Sequence, residues 1–166
     1  LAAMEAVLLQ VPRDDLARTG ALKLLTDLGL TDEAEQRARE WLEMDPDELN
    51  VKAHLGILLA RRGEMAEAGP LLEASLADNV PRQYVYRMLA QVALAQQQPQ
   101  QAIQYLRIET EHFPRNIEAR MSLGNRLRRL GNWQEAAAEL NDILSRQPTH
   151  VEARRGRAQA FFNSGD

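Results

Sequence analysis

Residues 117 to 150 read IEARMSLGNRLRRLGNWQEAAAELNDILSRQPTH, and the same 34-residue pattern returns upstream at 83 to 116, 49 to 82 and 15 to 48 without insertion. Residues 151 to 166 open a further copy, and residues 1 to 14 read as the second half of an earlier one. Proline closes copies at Pro12, Pro46, Pro114 and Pro148, with Pro81 one place late in the remaining slot. Alanine recurs at Ala34, Ala68, Ala102 and Ala136, and glycine at Gly29, Gly63, Gly131 and Gly165. A small residue recurs at Gly56, Ala90, Gly124 and Ala158. Self-similarity at such a period marks an array of stacked units, none of which buries its apolar face alone.

Each unit reads as two helices. Ala119, Leu123, Gly124 and Leu127 lie on one face of a helix expected over 117–130. Gly131 ends it, since glycine takes the left-handed conformation without steric conflict. Asn132 is then expected to cap the second helix, with Glu135 completing a capping box. Trp133, Ala136, Ala137, Leu140, Ile143 and Leu144 form the second apolar stripe, and Pro148 stops it. Gly124 and Ala136 are expected to touch where the two helices cross, as are Ala90 and Ala102.

Leu123-Gly124, Leu127, Ala136, Leu140 and Pro148, matched by Leu55-Gly56, Leu59, Ala68 and Leu72, resemble the tetratricopeptide repeat (TPR) family over the whole chain. The resemblance implies an all-α fold, a right-handed α/α superhelical solenoid of helix hairpins. About ten helices are expected: a half unit at 1–14, four full units at 15–48, 49–82, 83–116 and 117–150, and a half unit at 151–166. Residues 1–166 thus form a single array, and its open half units suggest a piece of a longer protein. Four departures stand out. Leu22 occupies the small-residue slot, so the first hairpin should open or shift its crossing. Gln97 replaces the turn glycine, with Pro99 as another kind of stop. Gly69-Pro70 falls inside a second helix, where a kink or delayed start is expected. Arg157 sits on the buried face, as if the last helix lacked cover.

In such arrays the resemblance assigns the ligand groove to first-helix positions opposite the buried face. Those positions here include Lys23, His54, Ile57, Arg61, Tyr84, Arg87, Met88, Gln91, Met121, Asn125, Arg128, Arg129 and Arg155. Ile57, Tyr84, Met88 and Met121 would be exposed apolar anchors, and the arginines would orient a ligand. The chain carries a net charge of −4, yet this strip is cationic, which suits an acidic or mixed apolar and acidic segment. Arginines on helices are also ordinary solvated residues, and that reading stays open. The carboxylate clamp of chaperone-binding members is not matched, because Thr19, Met121 and Gly156 stand at its positions.

The residue inventory argues against other classes. His54, His112 and His150 lack the spacing of metal ligands and there is no cysteine, so no metal, cofactor or catalytic residue is assigned. His112 and His150 fall where second helices end, a position that suits a histidine structurally. Trp41 and Trp133 fall in core slots. No Lys/Arg run suits nucleic acid, and no stretch is apolar enough to insert into a membrane. Compartment is left undetermined between cytoplasm and periplasm.

The residues therefore describe a non-catalytic scaffold binding a protein or peptide. Three other readings stay open: the repeat region of a larger bacterial enzyme such as a glycosyltransferase or sulfotransferase, a part of a cell-envelope assembly or exopolysaccharide export protein, and self-association through exposed terminal helices. For the hairpin packing, Ala102→Leu should lower stability by roughly 1–3 kcal/mol through overpacking, and an unchanged thermal melt would contradict the register.

Overall fold

A computed structural model describes residues 14–165, so the half unit read over 1–14 lies, apart from Asp14, outside the described residues. Nine α-helices occur among them: α1 (Asp15–Asp27), α2 (Thr31–Met44), α3 (Leu49–Arg62), α4 (Met65–Ala74), α5 (Val85–Ala95), α6 (Pro99–His112), α7 (Ile117–Arg129), α8 (Trp133–Arg146) and α9 (Val151–Ser164). The chain divides into two compact units, Leu1–Val92 and Ala93–Asp166. In the first, α1 packs on α2, α2 on α3 and α3 on α4, and α1 also meets α3 directly. In the second, α6, α7, α8 and α9 pack in succession, with α7 also touching α9. These contacts join helices within hairpins and between successive hairpins, as stacking of 34-residue units requires.

The crossing at Gly124 differs from the expected pair. A Cβ built on Gly124 would meet Leu140 Cδ2 and Cγ at 3.2 Å, not Ala136, and one built on Gly56 would meet Leu72 Cγ at 2.8 Å. The motif is thus a leucine of the second helix lying on a bare backbone of the first, while Ala68 and Ala136 are separately buried. The departure at Leu22 follows from the same geometry. Where the other units have Leu72, Leu106 and Leu140, the first has Ala38, and both Leu22 and Ala38 are fully buried. Bulk has moved from one helix to the other, a swap that keeps the total volume of the slot.

Turns and caps show how the period is enforced. Gly131 has φ 79°, with its N–H bonded to the Arg128 carbonyl and that of Asn132 to Leu127, a left-handed helix ending. Gln97 adopts φ 61° at the same slot, so the turn persists without glycine. Pro99 is not a stop there; it is the first residue of α6, where its missing N–H goes unmissed. Asp14 and Asn116 cap α1 and α7, accepting from Ala17 N at 2.7 Å and Ala119 N at 3.2 Å. His150 occupies the equivalent slot, and its Nδ1 accepts from Ala153 N at 3.2 Å. It opens α9 instead of closing α8. The capping box at Asn132 does not form: Asn132 makes no side-chain cap bond, and Glu135 pairs with Arg107 at 2.5 Å.

Three further expectations are corrected. Helix α4 starts on time at Met65 with Pro70 inside it, but stops after 10 residues where its counterparts have 14. Arg157 is half-buried and donates to Asn141 Oδ1 at 3.0 Å, so it is anchored at the surface of the α8–α9 contact. Trp41 is buried, with the Arg18 guanidinium 5.6 Å from its ring centre, whereas Trp133 is half-buried.

The glycine contacts order two substitutions. Alanine raises helix propensity by about 1 kcal/mol over glycine, which is enough to offset the 3.2 Å approach at Gly124 but not the 2.8 Å approach at Gly56. Gly56→Ala should therefore destabilise by roughly 1–2 kcal/mol and Gly124→Ala by close to nothing. Chemical denaturation showing the reverse order would refute the crossing geometry.

Candidate functional site

The cap slot that recurs every 34 residues holds Asp14, Glu48, Arg82, Asn116 and His150. Arginine has only donors, so Arg82 cannot accept a helix N–H, and α5 begins late at Val85. The guanidinium is spent on the preceding segment instead. It donates to Ser75 O at 2.6 Å, Val80 O at 3.1 Å, both Asp78 oxygens and Asn50 Oδ1 of α3 at 3.0 Å. Asp78 is held down to a pKa of about 2, first by this bond to Arg82. Tightened turns run from Leu76 to Asn79, which has φ 57°. Between the early end of α4 and the late start of α5 lies an ordered loop over residues 75–84.

That loop, α1 and α3 enclose a cavity of about 490 Å³. Lys23 and Asp27 reach it from α1; Asn50, His54, Ile57 and Arg61 from α3; Arg82 and Tyr84 from the loop. Five of the residues read from the sequence are thus brought together: Lys23, His54, Ile57, Arg61 and Tyr84. Lys23 and Arg61 are exposed and form no ion pair among the described residues, unlike Arg37, Arg39, Arg62 and Arg82, which hold carboxylates. Asp27 is the one carboxylate in the lining. Ile57 and Tyr84 are half-buried, so each leaves part of an apolar surface to the cavity.

His54 is the titratable centre of this lining. Its Nδ1 lies 3.0 Å from the Asn50 carbonyl, which can only accept, so Nδ1 carries the proton and Nε2 is left with a lone pair. Burial lowers the imidazole pKa, and the nearby Lys23 charge adds to the effect against the bond to Asn50. The ring is therefore neutral at neutral pH and can take up a proton when a negative group arrives. Tyr84 has φ 70°, an outlier for a bulky side chain, and Arg87 stacks over its ring at 4.8 Å from the centre. Such strain of ~1–3 kcal/mol persists only where surrounding contacts fix it, and here the Arg82 brace lies two residues away.

Other assigned residues fall differently. Met88 is 4% exposed and Met121 8%, so both are core and neither is an exposed anchor. The helix wheel turned both away from the buried face, whereas in these helices the buried arc extends to include them; Met121 packs with Leu140, Ile143 and Leu144. Gln91 is exposed. In the second unit, Arg128 donates to Asn125 Oδ1 at 2.9 Å and to Gln159, and lies against Gly156 of α9. Arg128, steadied by Asn125, therefore ties α7 to α9. Arg129 and Arg155 are exposed. Arg82 was missed, and its signal was a donor-only residue in a slot where the other copies place side chains with an acceptor.

Among the described residues, no cluster of His, Cys, Asp or Glu could hold a metal ion, and no helix is long and apolar enough to cross a membrane. A family model described as the tetratricopeptide repeat matches residues 19–84, 87–144 and 122–166. No curated protein matches the chain. Among solved structures, YrrB, described as a TPR protein with an unusual peptide-binding site, superposes with a TM-score of 0.79 at 20% identity, over 98% of this chain and 84% of that one. MamA (AMB-1) gives 0.76 at 24%, over 91% and 82%. MamA from Desulfovibrio magneticus RS-1 gives 0.71 at 18%, over 89% and 83%. At these identities the likeness is one of fold.

Proposed function

Since this chain belongs to the tetratricopeptide repeat family, we propose that it is a non-catalytic protein-binding scaffold whose first-unit cavity receives an acidic segment carrying an apolar side chain. The observation behind this reading is the cavity itself, where Lys23 and Arg61 stand without carboxylate partners beside the half-buried faces of Ile57 and Tyr84. Elsewhere in the same unit, arginines are neutralised by neighbours. Uncompensated cations in a concavity attract and orient carboxylates, and an adjoining apolar wall contributes burial. The peptide-binding site named for YrrB is consistent with such a use of the shared fold.

The reading is tested by fluorescence anisotropy with a labelled peptide of glutamates around one leucine, against a lysine-for-glutamate version. Lys23→Ala with Arg61→Ala should weaken the acidic peptide by about 10-fold or more, roughly 1.4 kcal/mol for each factor of ten. Both side chains are exposed, so the melting temperature should stay put. Equal binding of the two peptides, or an indifferent double variant, would overturn the proposal.

His54 supplies a pH dependence with a definite sign. Its pKa is lowered in the free protein, so the neutral ring is favoured and its contribution to stability is lost as pH falls below the unfolded value of about 6.5. A bound carboxylate favours the charged ring, so binding takes up protons and affinity should rise between pH 7.5 and 5.5. His54→Gln should flatten that rise. A slope identical in both proteins would remove His54 from the site.

A further inference from the structure

The first unit has a second concavity, on the side of the second helices. It lies between α2 and α4 over Leu55 of α3, has a volume of about 590 Å³, and is lined by Leu42, Pro70 and Leu71 with Arg39 and Glu67 at its edge. Two repeat lengths later, the second unit has the equivalent cleft between α6 and α8 over Leu123, of about 420 Å³. Both are spanned by the same ion pair, Arg39–Glu67 at 2.6 Å and Arg107–Glu135 at 2.5 Å. Their floors match, but their walls differ. Thr110 replaces Leu42, Ala138 replaces Pro70 and Glu139 replaces Leu71, and Glu139 pairs with Arg120 at 2.7 Å. An ion pair occupies the wall of the second cleft where the first presents leucine and proline.

Two features give the apolar cleft a polarity. Pro70 has no N–H, so the Ala66 carbonyl lacks its helical donor, and both residues line the cleft. Of the seven carboxylates on α2 and α4, Glu43 and Glu67 line the cleft, while Asp32 and Glu35 are held by Arg62 of α3. Arg39 is already shared between Glu35 and Glu67, and Glu43 forms no ion pair among the described residues. We propose that this cleft is a second docking site, for a basic amphipathic helix of a partner protein, with its apolar stripe on Leu42 and Leu71 and a flanking cation against Glu43 at the cleft's margin. Helix-in-groove recognition needs an apolar slot with charged margins of the opposite sign. The proposal stands independently of the cavity between α1 and α3, which is cationic.

The probe is a labelled lysine–leucine peptide patterned as an amphipathic helix, with a glutamate–leucine peptide of the same pattern as its counterpart. Saturable binding of the lysine peptide alone is expected, with no competition from the acidic peptide of the first cavity. Leu42→Thr with Leu71→Glu copies the second cleft and adds a negative charge, so attraction by charge alone would strengthen. Seated binding should instead weaken by at least tenfold, while the acidic peptide's affinity is retained. Glu43→Lys is exposed and leaves the core alone, and it should weaken the lysine peptide several-fold. No saturable binding, equal binding of the glutamate–leucine peptide, tighter binding to the leucine double variant, or indifference to Glu43→Lys would each overturn the proposal.

Discussion

The contact on which the other features depend is a leucine pressed against a backbone with no side chain, Leu72 on Gly56 and Leu140 on Gly124. It sets how near the two helices of a hairpin come, and that separation decides which positions along each helix are buried. Because neighbouring units pack through the same faces, the spacing chosen inside one hairpin is passed to the next. Dispersion falls steeply with distance, so a fraction of an ångström at the crossing matters along the whole helix. The first hairpin satisfies the same constraint with Leu22 and Ala38 in exchanged roles. What the fold conserves is the filled volume, not the residue that fills it.

A repeat that fitted perfectly would leave no concavity distinct from its neighbours. Here the cavity between α1, α3 and the loop arises where the period is imperfectly obeyed, with α4 short, α5 late and Arg82 binding the intervening carbonyls. Segments of this kind expose backbone polar groups that must be satisfied, and Arg82 does so with several donors at once. The left-handed Tyr84 follows directly from the chain having to re-enter a helix beyond that brace. Strain, brace and cavity meet around one donor-only residue in a capping slot.

Hairpins, turns and core alanines were legible because each is fixed by a residue type at a fixed offset. Helix α7 was expected over 117–130 and runs from Ile117 to Arg129. Pair contacts were less legible: nothing in a periodicity says whether Gly124 faces Ala136 or Leu140, since both lie on the same stripe. Met88 and Met121 were misplaced because a wheel assigns each helix one buried face, whereas the first helices that carry them are covered over a wider arc. Asn132 and Glu135 spell a capping box, but a guanidinium across the helix interface outbids a local bond for the carboxylate. The cluster of Lys23, His54 and Arg61 was legible by register, whereas its enclosure depended on the loop.

Charge gives the first unit two unlike faces. Its first helices leave Lys23 and Arg61 uncompensated, while its second helices carry an excess of carboxylates and hold their arginines in pairs. The net charge of −4 conceals this, because a sum over the chain averages surfaces that point apart. At physiological ionic strength, screening acts over about 8 Å, less than the width of a helix with its side chains, so each face presents its own sign to what approaches it. Opposite faces of one helical layer can therefore select partners of opposite charge without interfering electrostatically.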